Sequence, residues 1–307
     1  MTTALFHHQD CEKHNMGPEH PESPLRIAAI LNQLQDNALL DELVVIRPDE
    51  IQRELIAQVH PDSHITQLEM LAPPKGRVFV DPDTAVMPDT LRAAFLAAGA
   101  AVEATDAILS GEFDTAFCAT RPPGHHAERN RAMGFCFFNN IAIAAQRALN
   151  YHALERIAII DFDVHQGNGT VDIFKNDPRV LVCSSFQHPH YPNSHYVMEQ
   201  EHIVNTPLDA GTDGRGFRRA VERDWLHRLQ DHKPQMIFIS AGFDAHELDP
   251  LGDLRLRGED YRWVTRLIMD VAKSTARGRV LSILEGGYNL KALAEGVDQH
   301  LQVLAGH

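Results

Sequence analysis

The segment Asp161-Phe-Asp163-Val-His165-Gln-Gly-Asn168-Gly sets two carboxylates and an imidazole at alternate positions, directly after the apolar run Arg156-Ile-Ala-Ile-Ile160. The length and β-branched content of that run predict a buried strand. A buried carboxylate is costly unless it is paired or holds a metal. Alternate residues of an extended chain point the same way, so Asp161, Asp163 and His165 can converge where the strand ends. Carboxylates beside a neutral imidazole form a donor set for a divalent cation, zinc included.

Three further segments share this layout, an apolar run that ends in polar residues. Thr115-Ala-Phe-Cys-Ala119 leads into Arg121-Pro-Pro-Gly-His125-His126. Met236-Ile-Phe-Ile-Ser240 leads into Ala241-Gly-Phe-Asp244, and Arg279-Val-Leu-Ser-Ile-Leu284 into Glu285-Gly-Gly-Tyr288. In open α/β sheets, ligands bind outside the carboxyl ends of the strands. Four polar strand ends therefore predict one shared site along that edge.

The elements that must carry these ends follow from periodicity. Apolar residues at helical spacing predict helices over 25–34, 91–109, 141–149, 217–229 and 261–276, and short apolar runs predict strands over 43–46 and 179–183. The Ala-rich stretch 91–109 adds high intrinsic helix propensity. Strands alternating with helices predict an α/β fold, a central and mainly parallel sheet covered by helices on both faces. The Pro-, His- and Gly-rich stretches 120–135, 186–196 and 246–256 read as loops that rim the site. With 307 residues, 44% of them hydrophobic, and no repeat or low-complexity linker, one domain over 1–307 is expected.

Composition narrows the function classes. A net charge of −14 speaks against direct binding to nucleic acid and suits a cationic substrate. No apolar stretch reads as long enough to cross a bilayer, so no membrane partner is expected. Met1-Thr-Thr-Ala-Leu-Phe-His-His lacks the basic-then-apolar order of a signal peptide, and His7-His8 reads as a solvated loop pair. The four cysteines show neither zinc-ribbon nor disulfide spacing, and Cys118 and Cys183 lie in apolar runs as buried thiols. A reducing, cytoplasmic compartment is the expectation.

The chain resembles the histone deacetylase superfamily, on the side of class II deacetylases and bacterial deacetylase-like amidohydrolases. The resemblance is carried by Arg-Pro-Pro-Gly-His-His at 121–126, Gly-Phe-Cys-Phe-Phe-Asn-Asn at 134–140 and Asp-x-Asp-x-His-x-Gly-Asn-Gly at 161–169. Ser-Ala-Gly-Phe-Asp-Ala at 240–245, Glu-Gly-Gly-Tyr at 285–288 and His20-Pro-Glu-Ser-Pro-Leu-Arg26 complete it. These motifs stand in the family's order and span nearly the whole chain. The resemblance implies an arginase/deacetylase-like fold with its active site at the carboxyl ends of the strands.

It also implies roles. One zinc per chain would sit on Asp163, His165 and Asp244, leaving coordination open for water and substrate. The alternative for Asp163 and Asp244 is a helix cap, a common job for Asp after a strand and a reasonable one for Asp244 taken alone. Proton transfer would fall to His126, with Asn168 as its partner, while His125 is held by Asp161. An Asn cannot stabilise an imidazolium as a carboxylate would, so a lower His126 pKa is expected. Tyr288 would donate to the oxyanion. Phe135, beside Gly134, and Tyr191 would wall an acyl-lysine tunnel, Tyr191 having a plain loop aromatic as its alternative. Arg26 matches a position beside an inner cavity, with a structural salt bridge as the alternative. Asp161, Asp163, His165 and Ser184 match positions around a buried monovalent cation, potassium.

The implied activity is zinc-dependent removal of an acetyl or short acyl group from acylated lysine in peptide or protein, or from a small acylated amine. A eukaryotic relative specific for acetylated polyamines places a Glu shortly after the last metal ligand, whereas bacterial polyamine enzymes use other acidic residues. Here Asp249-Pro-Leu251-Gly puts Leu251 there, which leaves the mouth without a carboxylate and favours acyl-lysine or an unselective small substrate. A non-catalytic binder of acyl-lysine would be expected to lack a ligand or the tyrosine. A ureohydrolase of the arginase type needs a two-metal cluster with more Asp and His.

Overall fold

The computed structural model describes residues 1–307. In chain order its strands are β1 (Thr3–Phe6), β2 (Val44–Ile46), β3 (Val78–Asp81), β4 (Thr84–Val86), β5 (Thr115–Cys118), β6 (Ile157–Asp161), β7 (Val180–Gln187), β8 (Ile203–Leu208), β9 (Ile237–Ala241) and β10 (Val280–Leu284). Its helices are α1 (Leu25–Asp36), α2 (Arg53–Ile56), α3 (Asp62–Leu71), α4 (Thr90–Ser110), α5 (Asn140–Asn150), α6 (Asn168–Phe174), α7 (Gly214–His232), α8 (Gly258–Thr275) and α9 (Leu290–Ala305). Eight strands form one sheet in the order β2-β1-β5-β10-β9-β6-β7-β8, every neighbouring pair parallel. β3 and β4 form a separate antiparallel hairpin.

Side-chain alternation builds the two layers. In β6, Ala158 and Ile160 join the core shared with α1, α7, α8 and α9. Ile157 and Ile159 join the opposite core, with α3, α4, α5 and α6. Burial on both faces explains why these strands read as unbroken apolar runs. The four strands whose ends carry the polar motifs are contiguous at the centre, β5-β10-β9-β6. Parallel register therefore brings residues 121–126, 285–288, 242–244 and 161–165 to one edge.

The helices expected from periodicity are present, longer by one to three residues at most ends. Other elements were hidden from a sequence reading. β8 contains Pro207, which argues against a strand and is tolerated because β8 is at the sheet edge. In α9 the apolar spacing is broken by His300, which is buried and bonded to Thr265 and Ser282. The 3–86 region holds β1 and the β3–β4 hairpin, too short to announce themselves by pattern.

Two expectations need correction. α4, 21 residues long, is apolar enough to cross a bilayer by composition, with a mean hydropathy of 1.4 over an 18-residue window; 67% of that window is buried, and the helix packs against the sheet and α5. His8 is not a solvated loop residue: it is buried, with Nδ1 3.0 Å from the Asp10 amide nitrogen and Nε2 2.9 Å from Arg47 Nε, and one of the two ring nitrogens accepts. All four cysteines are buried free thiols.

Candidate active site

β6 ends at Asp161, and the chain then leaves the sheet. The alternation of Asp161, Asp163 and His165 persists through side-chain turns rather than through extended backbone. Asp161 Oδ1 accepts the Asp163 amide at 3.1 Å, and Asp163 Oδ1 accepts the His165 amide at 2.9 Å. β9 delivers Asp244, whose Oδ1 accepts the Val164 amide at 2.9 Å and so ties the two strand ends together. His165 Nδ1 then lies 3.0 Å from Asp163 Oδ1 and 3.1 Å from Asp244 Oδ2.

One potential donor atom from each of Asp163, His165 and Asp244 lies within 4.8 Å of the others, and all three residues are buried. Burial disfavours a charged imidazole, yet the hydrogen bonds to Asp163 and Asp244 outweigh it and raise His165 to about 10. Burial likewise pushes the Asp244 carboxyl up, with the Asp163 charge adding to it. Such a group asks for positive charge, which a divalent cation supplies; an Asp-His-Asp set suits zinc. The backbone is fitted around it. A Cβ at Gly286 would collide with Asp244 Oδ2, and the Gly286 amide donates to Asp163 Oδ2 at 2.8 Å.

Behind this group lies the histidine pair. His125 Nδ1 is 2.9 Å from Asp161 Oδ2. Burial opposes its protonation, but Asp163, Asp161 and Glu285 hold it well above the usual histidine range. Glu285 was named only as part of a motif, and its work shows in the structure. Its Oε2 accepts the Gly124 and His125 amides at 2.7 and 3.1 Å, and its Oε1 accepts from Ser240 at 3.0 Å. It thereby pins three strand ends together, and burial raises it to about 7.

His126 Nδ1 is 2.7 Å from Asn168 Oδ1. Its pKa is well below the usual histidine value, in the expected direction but for a different leading reason. Burial comes first, then repulsion by His125 and His165; the Asn168 contact acts weakly the other way.

A pocket of about 400 Å³ opens onto these groups. Of the residues singled out from sequence, His126, Gly134, Phe135, His165, Tyr191, Leu251 and Tyr288 line it. Asp161, Asp163, Asp244, His125, Asn168, Arg26 and Ser184 do not line it and are buried. Gly134 and Phe135 are the two central residues of a tight turn closed by Met133 and Cys136, with φ of 56° and 69°. A Cβ at Gly134 would come within 2.5 Å of His126 Cδ2. Phe135 in this left-handed region carries strain of roughly 1–3 kcal/mol, held in part by the hydrogen bond its amide donates to Thr84 Oγ1 at 2.9 Å. The turn sets the Phe135 ring edge-on to Tyr288, at 5.8 Å between centroids.

Tyr191 is not a plain surface aromatic. Its ring stands edge-on to His126 at 5.2 Å and to His165 at 6.0 Å. Arg26 is a structural cation. It donates to the carbonyls of Gly287 at 2.7 Å and Glu285 at 2.5 Å, pairs with Glu22 at 3.1 Å, and lies 5.1 Å from the Tyr288 ring centroid. Arg121 closes on the same Glu22, so two guanidiniums outweigh the burial of that carboxyl and hold it at about 2. Asp249 completes the support of Tyr288, its Oδ2 accepting the Tyr288 and Asn289 amides at 2.7 and 3.1 Å.

Four further residues line it: His20 and Pro21, which the sequence offered only within a motif, His190, which lies in the 186–196 loop expected to rim the site, and Asp83, which the sequence reading did not single out. His190 stacks on His165 at 5.0 Å and bonds the Leu251 carbonyl at 2.9 Å. Asp83 corrects the expectation of a mouth without a carboxylate. It sits on the β3–β4 turn, and no local signal tied that turn to the site.

The chain matches the family model described as a histone deacetylase domain over residues 20–304. It belongs to the histone deacetylase family. It is 36% identical, over 95% of its length, to a probable deacetylase of Archaeoglobus fulgidus, covering 82% of that protein. It is 33% identical, over 94% of its length, to a histone deacetylase-like amidohydrolase of Pseudomonas aeruginosa, covering 82% of that protein. The solved structure of the HDA15 HD domain matches with a TM-score of 0.94 at 30% identity, over 99% of this chain and 90% of that one. The histone deacetylase fold, a parallel sheet between helical layers with its polar groups at the strand ends, is thus the fold of this chain. Membership supports deacetylase or amidohydrolase activity.

Proposed function

We propose that this histone deacetylase family member is a zinc-dependent amidohydrolase that removes an acetyl or short acyl group from acylated lysine side chains or a similar amine. One observation carries the reading: His126, His165 and Tyr288 line one pocket, and His165 joins that pocket to the buried Asp163–His165–Asp244 group. Zinc held by those three would polarise a carbonyl oxygen and acidify a water. Tyr288, whose pKa burial and the Asp244 charge keep far above neutrality, offers a hydroxyl proton to the oxygen that turns negative. His126 is neutral and takes the proton of the attacking water, then returns it to the departing amine. His125, paired with Asp161, stays charged behind it. Phe135 and Tyr191 flank an aliphatic stem.

A structural potassium fits beside this group. Ser184 Oγ is buried without a hydrogen-bond partner, and Ser184 is the register partner of Asp161. An unpaired buried oxygen next to a carboxylate-bearing strand end suits an oxygen-coordinated cation. Asp161, Asp163 and His165 would supply the remaining oxygens from the same turn.

Asp83 favours a second reading, a small acylated amine with a distal ammonium, such as an acetylated polyamine. Leu251→Glu should raise, and Asp83→Asn should lower, the kcat/KM ratio for acetylpolyamine over acetyl-lysine peptide. About a two- to fivefold change is expected in each, the scale of a partly exposed ion pair. Ratios that stay level in both variants remove these residues from the selectivity argument.

The function itself is tested by kcat/KM on a panel of acylated peptides and polyamines, with metal analysis alongside. The reading expects turnover on the panel and one zinc per chain. Zinc without turnover on any acyl amine would favour a silent binder, and two manganese ions per chain would favour a ureohydrolase.

A further inference from the structure

Asn168 does not stand alone behind His126. Its Nδ2 lies 2.8 Å from Glu128 Oε1, 3.4 Å from the His126 carbonyl and 3.4 Å from Met133 Sδ. All three neighbours accept hydrogen bonds and none donates, so the amide nitrogen belongs on that side. Its Oδ1 must then face His126 Nδ1, which has to carry a hydrogen there. The Glu128 backbone is itself held. Its amide donates to the Arg131 carbonyl at 2.9 Å, the Arg131 amide returns a bond at 3.3 Å, and Arg131 pairs with Asp81 at 3.3 Å.

The chemistry explains why such a residue is needed. A carboxylate behind a histidine accepts whichever way it turns. A carboxamide does not: rotation by half a turn exchanges oxygen and NH₂ at almost no steric cost. Turned the wrong way, Asn168 would donate to Nδ1 and favour the tautomer with hydrogen on Nε2. That tautomer cannot take a proton from water at Nε2. The shortest of the three contacts, to the Glu128 carboxylate, is the charge-assisted one and decides the orientation.

We propose that Glu128 is a positioning residue: its carboxylate orients the Asn168 amide, which locks His126 as the Nδ1–H tautomer with Nε2 free to accept a proton. The effect on turnover rests on the proposed hydrolysis through His126; the tautomer itself does not.

Two measurements on the zinc-loaded full chain test this. In the first, histidine is labelled with ¹⁵N and the His126 signals are assigned by their loss in His126→Gln. The parent should show a protonated Nδ1 and an unprotonated Nε2, and Glu128→Ala should populate the other tautomer. Glu128→Leu, closer in volume, serves if the alanine variant loses metal or unfolds. Unaltered His126 nitrogens in the variant would overturn the proposal.

The second measurement is a mutant cycle. Glu128→Ala should lower kcat on the order of tenfold, the scale of one charge-assisted hydrogen bond, with KM held within about twofold. Glu128→Gln keeps an acceptor oxygen and should recover most of that loss. In an Asn168→Asp background the same Glu128→Ala change should cost nothing, and relief of two facing carboxylates should raise kcat. Equal losses in both backgrounds would mean that Glu128 only packs the loop, and the proposal fails. Absence of turnover in the parent on every acyl amine would instead defeat the hydrolase reading, with the ¹⁵N result still deciding the role of Glu128.

Discussion

Asp163→Ala is expected to strip the metal from the protein and abolish turnover. Asp163 is the hub of the buried group: Oδ1 takes the His165 amide and Oδ2 the Gly286 amide, while His165 Nδ1 lies 3.0 Å away. Its carboxyl is held well below the usual range; burial opposes this, and His125 and His165 prevail. Alanine would leave two donors, His165 and Asp244, where a catalytic zinc site uses three. A metal contributes several kcal/mol of transition-state stabilisation, and each roughly 1.4 kcal/mol is tenfold in rate. A fall of at least about a thousandfold in kcat/KM is therefore expected, with zinc per chain, measured by mass spectrometry, well below one. Asp163→Asn, which retains one accepting oxygen, guards against a trivial loss of folding. Full zinc occupancy with undiminished turnover would remove Asp163 from the metal site.

Tyr288→Phe should leave fold, zinc and KM nearly unchanged while kcat collapses. The ring has its own supports, which the substitution keeps: Phe135 edge-on at 5.8 Å, the Arg26 guanidinium at 5.1 Å, and Asp249 on the main-chain amide at 2.7 Å. Only the hydroxyl goes. In the proposed hydrolysis it would donate to an oxygen that bears full negative charge after water attacks, so its absence should be felt in the transition state and little in substrate binding. Loss of one such donor costs about 2.7–4 kcal/mol, on the order of a hundred- to thousandfold in kcat. The opposing view, that Tyr288 merely shapes a Gly-Gly-Tyr turn, expects near-normal kcat, because phenylalanine fills the same space. Steady-state kinetics on an acetyl-lysine peptide, with metal content and Tm measured in parallel, separate the two.

Much of this site was legible in the linear chain, because the rules involved are local. A strand buried on both faces must be apolar along its length, and a charge at its end must be paired or bound. Those two constraints located the ends at Asp161, His125, Asp244 and Glu285, and family resemblance attached roles to them. Even there the local reason was incomplete: Asp163 and His165 follow Asp161 through side-chain turns, since β6 has already ended.

What only the tertiary structure decided is which distant groups meet. The order β5-β10-β9-β6 makes four separated segments neighbours, and no periodicity encodes that order. Arg26 could be assigned to the support of Tyr288 rather than to the pocket lining only once α1 was seen packed near the β10 end. Asp83 enters the pocket on a hairpin far from every catalytic motif, and Glu128 reaches Asn168 across 40 positions of sequence. The physical reason is the same in each case. A strand end reports its own chemistry through burial and spacing, whereas a supporting contact depends on where the chain returns after a helix and a loop, and only packing of the two layers on the sheet sets that.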